Sequence, residues 1–189
     1  MKNILLIAAL LTASFCIQPT PIERPTTHPT TVTVERPTMN LPDSLRQENW
    51  LGNEREGSCV HAATVSLLRW QNRFKMAEHW RNTYGNGEGP SGLDDKLTAE
   101  GVRFVETVYG DVKFLEWAMR TRRGCGVVIR GGTHFVTLVA LDNKQACVMD
   151  NNDVHNYRWM PRETFLAEWR ASEGWAVAIL GSPLAPLPY

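Results

Sequence analysis

Apolar positions recur at helical spacing between Ser58 and Phe74, where Val60, Ala63, Leu67 and Phe74 fall on one face. That pattern predicts a helix over 58–74. A second, short helix is expected from Met76 to Tyr84, and a third from Leu93 to Glu100. A fourth is expected from Asp111 to Thr121, with Val112, Leu115 and Ala118 inward. The glycine-rich run Gly85 to Gly92 reads as a loop. The period then changes. Val127 to Ile129, Phe135 to Leu141 and Ala146 to Met149 are β-rich runs, and Asp142-Asn143-Lys144-Gln145 has hairpin chemistry. Pro161 to Ala171 returns to helix with proline in its first turn, and Trp175 to Leu180 predicts a last strand. Helices first and an antiparallel sheet second define an α+β layout.

The N-terminal pattern is different. Met1-Lys2-Asn3 is followed by the apolar run Ile4–Ile17, about 14 residues against the ~20 that a membrane-spanning helix needs. The run suits the core of a signal peptide over residues 1–16, cut after Cys16. A lipid-anchor reading would instead acylate Cys16. Residues 17–42 hold six prolines and seven threonines, with Glu-Arg-Pro-Thr at 23–26 and again at 35–38. Proline at this density removes donors and blocks helix, so an extended linker is expected, able to tether a domain to a membrane or cell wall. Residues 43–182 then form one domain, and 183–189 an irregular tail. Export to the periplasm, the cell surface or beyond is the expected location.

Charge narrows the function classes. Lys+Arg and Asp+Glu are 20 each among 189 residues, a balance that disfavours a strongly basic nucleic-acid binder and an acidic disordered chain alike. The seven tryptophans suit a filled core or a lined cleft. No spaced cysteine pair or zinc pattern occurs, so neither metal nor cofactor is implied. A monomer acting on a peptide or protein is expected.

Three residues carry candidate chemistry. Cys59 stands in the first turn of the predicted 58–74 helix, where unpaired N–H groups and the helix dipole favour a thiolate. His134 follows Gly131-Gly132-Thr133 and opens a predicted strand. Asp150 closes the next strand, across the hairpin. An imidazole at one strand mouth and a carboxylate at the neighbouring mouth can bond, fixing the ring for base work on the thiol.

Gly57-Ser58-Cys59 with Ala62-Ala63, His134-Phe135-Val136, Val148-Met149-Asp150 and the closing Phe165, Trp169 and Trp175-Ala176-Val177 together resemble the papain-like cysteine peptidases. The branch most similar is the bacteriocin-processing (double-glycine) peptidase-like family, and the resemblance spans roughly Trp50 to Leu180. It implies a papain-like fold, with the nucleophile at a helix start packed on an antiparallel sheet. It also implies a thiol protease with a Cys59–His134–Asp150 triad and an oxyanion donor at Asn53. The chain departs from the pattern at two places. Asn53 stands where glutamine is usual, and Val60 where glycine or an aromatic is usual.

Alternatives stay open on the residues alone. A one-residue change in hairpin register would bring Asp153 to His134 in place of Asp150, and Asn151 and Asn152 are further candidates. Gln47 or a backbone N–H could fill the oxyanion position. His61 reads as structural, because it cannot share a helix face with Cys59 at i, i+2. Cys125 and Cys147 fall two strands apart, beyond disulfide reach, and read as free buried thiols. The function expected is an exported thiol hydrolase of peptide or amide bonds. A cell-wall amide or isopeptide hydrolase, and an inactive peptidase-like binding module, are the other readings.

Overall fold

A computed structural model describes residues 41–51 and 57–184. The expected signal peptide, most of the linker, Cys16, Asn53 and the last five residues lie outside the described residues.

The nucleophile-bearing helix α1 (Cys59–Trp70) is buried on nearly every side. It packs across the centre of the sheet and against α2 (Phe74–Thr83). Here the expectation of one helix reaching Phe74 is corrected. The chain breaks at Asn72, whose φ of 60° lies in the left-handed region, and Phe74 begins α2 with its ring 42% exposed. Helix α3 (Pro90–Ala99) starts three residues before the expected Leu93, because Pro90 is pre-set for a first helical turn and Gly89 precedes it extended. Strand β1 (Phe104–Thr107) leads to α4 (Val112–Arg120), which Asp111 caps by accepting the Lys113 N–H. Leu115 and Ala118 are fully buried there, while Val112 is only half-buried.

Strands β2 (Cys125–Ile129), β3 (His134–Leu141) and β4 (Gln145–Met149) follow, then β5 (Tyr157–Pro161), α5 (Arg162–Ala171) and β6 (Ala176–Ile179). The six strands form one antiparallel sheet in the order β1-β6-β2-β3-β4-β5. Strands β2 and β6 are buried at every residue, β3 at six of eight and β4 at four of five, so both faces of the sheet centre are covered. The ring of Phe135 lies over Gly126, where a Cβ would sit 2.2 Å from it, and packs 4.6 Å from Trp175. Glycine is required at 126 for that close approach.

The edge strands β1 and β5 escaped the sequence pattern. Each is half-exposed, and β5 carries Arg158 and ends in Pro161, features typical of edges. Pro161 therefore ends a strand and precedes α5 rather than lying in its first turn. The 142–145 hairpin forms as expected, with the Asp142 carboxylate accepting the N–H groups of Lys144 and Gln145. Strands β2 and β4 flank β3, and Cys125 and Cys147 are free, buried thiols. The α+β architecture is the one the resemblance implies. Leu41 and Leu45 are buried with the core.

Candidate active site

The start of α1 carries no side-chain cap. The hydroxyl of Ser58, which precedes Cys59, instead turns back to accept the N–H groups of Trp50 and Leu51 and to bond the Asn49 side chain. The first N–H groups of α1 are thus free to face the thiol beside them. The Val60 N–H and the Phe135 N–H both favour the Cys59 thiolate.

His134 reaches the same point from the sheet. It pairs with Ile129 at the mouth of the β2–β3 hairpin, whose turn residues Arg130, Gly131 and Gly132 all have positive φ. The His134 Nε2 lies 2.7 Å from Asp150 Oδ1, which leaves the other ring nitrogen for the Cys59 thiol on the same cleft. Asp150 follows directly on β4, and both it and His134 are buried. Of the sequence candidates for the third residue, Asp150 is the one that bonds His134. Asp153 faces outward and accepts from the Asn156 amide. Asn151 turns its amide towards backbone carbonyls of Cys59 and Phe135.

Electrostatics separate this thiol from the other two. Burial alone would push the Cys59 pKa up. The hydrogen bond to His134, the Phe135 N–H, the charge of His134 and the Val60 N–H outweigh it, and the pKa is lowered. Cys125 and Cys147 have no such partners, and burial pushes Cys125 far up and Cys147 up to about 12. Burial also works against a charged His134, but Asp150 and Cys59 raise its pKa from 6.5 to about 9. Asp150 is pulled below the usual carboxylate range: its burial is outweighed by His134, the Asn152 N–H and Arg130. These directions favour the thiolate of Cys59 beside the imidazolium of His134 and the carboxylate of Asp150.

Two arginines belong to the site and were not anticipated. Arg130 lies 3.1 Å and Arg158 3.4 Å from Asp150 Oδ2, the oxygen that His134 does not use. Arg130 beside a double glycine gave a weak signal in the hairpin turn. Arg158 gave none, because its place depends on β5 lying next to β4.

A cleft of about 1240 Å³ opens above Cys59 and His134. The Asn86–Pro90 loop, Glu48 and Asn49, Trp175 and Glu173 line it. Asn53 lies outside the described residues. Gln47 bonds the Glu48 carbonyl and is not among the cleft residues. His61 is buried and accepts the Trp80 indole N–H at Nδ1, 3.1 Å away, and burial lowers its pKa, so it serves the packing of α1 on α2. Among the described residues, no group of three His, Cys, Asp or Glu side chains could hold a metal ion. No described helix is long and apolar enough to cross a membrane.

The fold defines the class: a papain-like α+β architecture. Among solved structures, the chain is similar to one assigned as a C39-like peptidase from Bacillus anthracis, with a TM-score of 0.55 and 13% identity. The match covers 77% of this chain and 98% of that one. A double-glycine motif protease from an AMS/PCAT transporter, solved with its leader peptide, matches with a TM-score of 0.49 and 16% identity, over 74% of this chain and 94% of that one. At 13% identity the first likeness is one of fold. No protein-family model and no curated protein matches the chain.

Proposed function

We propose that this protein is a cysteine peptidase that cleaves peptide or amide bonds through Cys59, His134 and Asp150. One observation carries the reading: Cys59 at a helix start and His134 line one open cleft, and His134 Nε2 lies 2.7 Å from the buried Asp150 carboxylate. The shared fold of the C39-like peptidase from Bacillus anthracis is consistent with a peptide substrate. In this mechanism the Cys59 thiolate attacks the substrate carbonyl carbon, forming a C–S bond. The His134 imidazolium gives its proton to the leaving amine as the C–N bond breaks. His134 then takes a proton from water, which attacks the acyl-enzyme and releases the acid. The Cys59 backbone N–H and the Asn53 side chain are the proposed oxyanion donors. Asp150 holds the ring orientation and stabilises the imidazolium.

Residues 1–16 direct export in this proposal, and residues 17–42 form the tether to the domain. The test is cleavage of a mixed peptide library and of muropeptides by purified protein, followed by mass spectrometry beside Cys59→Ala. New termini that vanish in the variant support the peptidase, and the productive substrate separates peptide from cell-wall bonds. No Cys59-dependent product from either set would favour a binding module on a peptidase fold.

A further inference from the structure

Asn151 is more deeply buried than a turn residue need be, at 3% exposure, and its side chain bridges two elements. Its Nδ2 donates to the carbonyl of Cys59, 2.9 Å away, and to that of Phe135, 2.8 Å away. The first acceptor belongs to the first residue of α1, the second to the strand residue next to His134. Both amide protons are spent on this bridge.

The β3–β4 register explains why the bridge exists. Thr137 pairs with Met149 and Leu138 with Val148. Continuing that register by two residues would set Asn151 opposite Phe135. The chain instead leaves the ladder after Met149, and a turn follows. The side-chain amide of Asn151 then satisfies the Phe135 carbonyl, which has lost its ladder neighbour on that side. Its second proton crosses to the helix. The backbone carbonyl of Asn151 also accepts the Asn49 N–H at 2.8 Å, so the segment before α1 docks on the same residue.

We infer that Asn151 is a positioning residue that clamps the start of α1 to the His134 strand and so sets the thiol–imidazole distance. The inference rests on the peptidase reading above and adds the residue that fixes its geometry. Phe135 is held by its carbonyl on Asn151, and its N–H favours the Cys59 thiolate. Losing the clamp frees α1 to slide relative to β3, and misplacement by about 1 Å can cost ~10²-fold in rate.

The test is Cys59 alkylation rate against pH for wild type, Asn151→Ala, Asn151→Asp and the control Asn156→Ala. The Asn156 side chain bonds only the Asp153 carboxylate in the same turn. Asn151→Asp keeps the shape and cannot donate to two carbonyls when ionised. We expect the alkylation midpoint to rise by about one pH unit in both Asn151 variants and peptide cleavage to fall ~10²-fold. Asn156→Ala should leave both unchanged, even if its melting temperature drops. A midpoint unmoved in the Asn151 variants, with wild type below the usual cysteine range, overturns the clamp and leaves the peptidase reading standing. An ordinary midpoint in wild type overturns both. The wild-type side-chain amide of Asn151 gives a second readout that needs no variant. Slow proton exchange supports the bridge, and exchange as fast as that of exposed Asn72 contradicts it.

Discussion

Replacing Asp150 by asparagine keeps the shape of the side chain and removes its charge. His134 holds its proton to about 9 where an ordinary imidazole loses it near 6.5, a preference of about 3 kcal/mol for the charged ring. Asp150 and the Cys59 thiolate share that preference, against the cost of burial. With both His134 and Asp150 nearly out of water, solvent screens the pair little. If Asp150 supplies about half, Asp150→Asn costs the imidazolium about 1.5 kcal/mol and lowers the His134 midpoint by about one unit. The amide also meets Arg130 and Arg158, which donate to Asp150 Oδ2 at 3.1 and 3.4 Å. They orient the Asn oxygen towards themselves, which turns the amide N–H₂ to His134 Nε2. Such a ring carries its proton on the nitrogen facing the thiol when neutral and cannot take one from the water that attacks the acyl-enzyme. Loss of the correct tautomer costs about 10⁴ in turnover in the serine-protease precedent. The assay is kcat/KM on a cleaved peptide at pH 7, with the His134 titration followed by NMR. Asp153→Asn serves as the contrast, since Asp153 bonds only within its turn. An Asp150→Asn enzyme within threefold of wild type, or a His134 midpoint that does not move, would refute the reasoning.

The remaining predictions concern pH, the oxyanion and a pair of acids. Peptide hydrolysis should fall as pH rises through about 9, where His134 loses the proton that the leaving amine needs. Alkylation of Cys59 forms no leaving amine and should show no such alkaline limb, so matching limbs in both stopped-flow profiles would contradict the assigned role. Asn53→Ala should slow acylation about 10²-fold while leaving alkylation nearly unchanged, and a parallel fall in both would make Asn53 structural. Burial, then the hydrogen bond and charge of Glu106, raise Asp94 from 3.8 to about 7. The folded state therefore binds a proton there that the unfolded chain has released, and stability declines as pH rises from about 4 through 7. Asp94→Asn should melt higher than wild type at pH 8 and alike below pH 4, and each kcal/mol gained raises Tm by about 2–4 °C. A variant that melts lower at pH 8 would contradict this.

The parts of the site that local chemistry determines were legible in the sequence. A glycine-serine pair before Cys59 marks a helix start, and His134 and Asp150 bound β-rich runs on either side of a hairpin. These readings depend on periodicity and turn residues, which act over a few positions. What escaped depends on neighbours distant in the chain. Strand β1 pairs with β6, and β5 with β4, as half-exposed edges whose mixed side chains lack a clear alternation. With β5 went Arg158 and its contact to Asp150. The misplaced helix end at Phe74 has the same origin: α1 is buried nearly all round, so no single apolar face marked where it stopped. The bridging role of Asn151 follows from a register that ends at Met149, which no sequence motif announces.

The central claim is that Cys59 is an ion-paired thiolate at neutral pH, and its ultraviolet absorbance reports this most directly. The measurement is a pH titration of the thiolate absorbance of wild type minus Cys59→Ser, repeated on a His134→Ala background. Cys125 and Cys147 stay protonated through neutral pH and cancel in the difference. The account predicts a thiolate signal present at pH 7 that titrates below the ~8.5 of a free cysteine. In the His134→Ala background that midpoint should rise. A Cys59 signal that appears only at or above ~8.5 and ignores His134 would contradict the account.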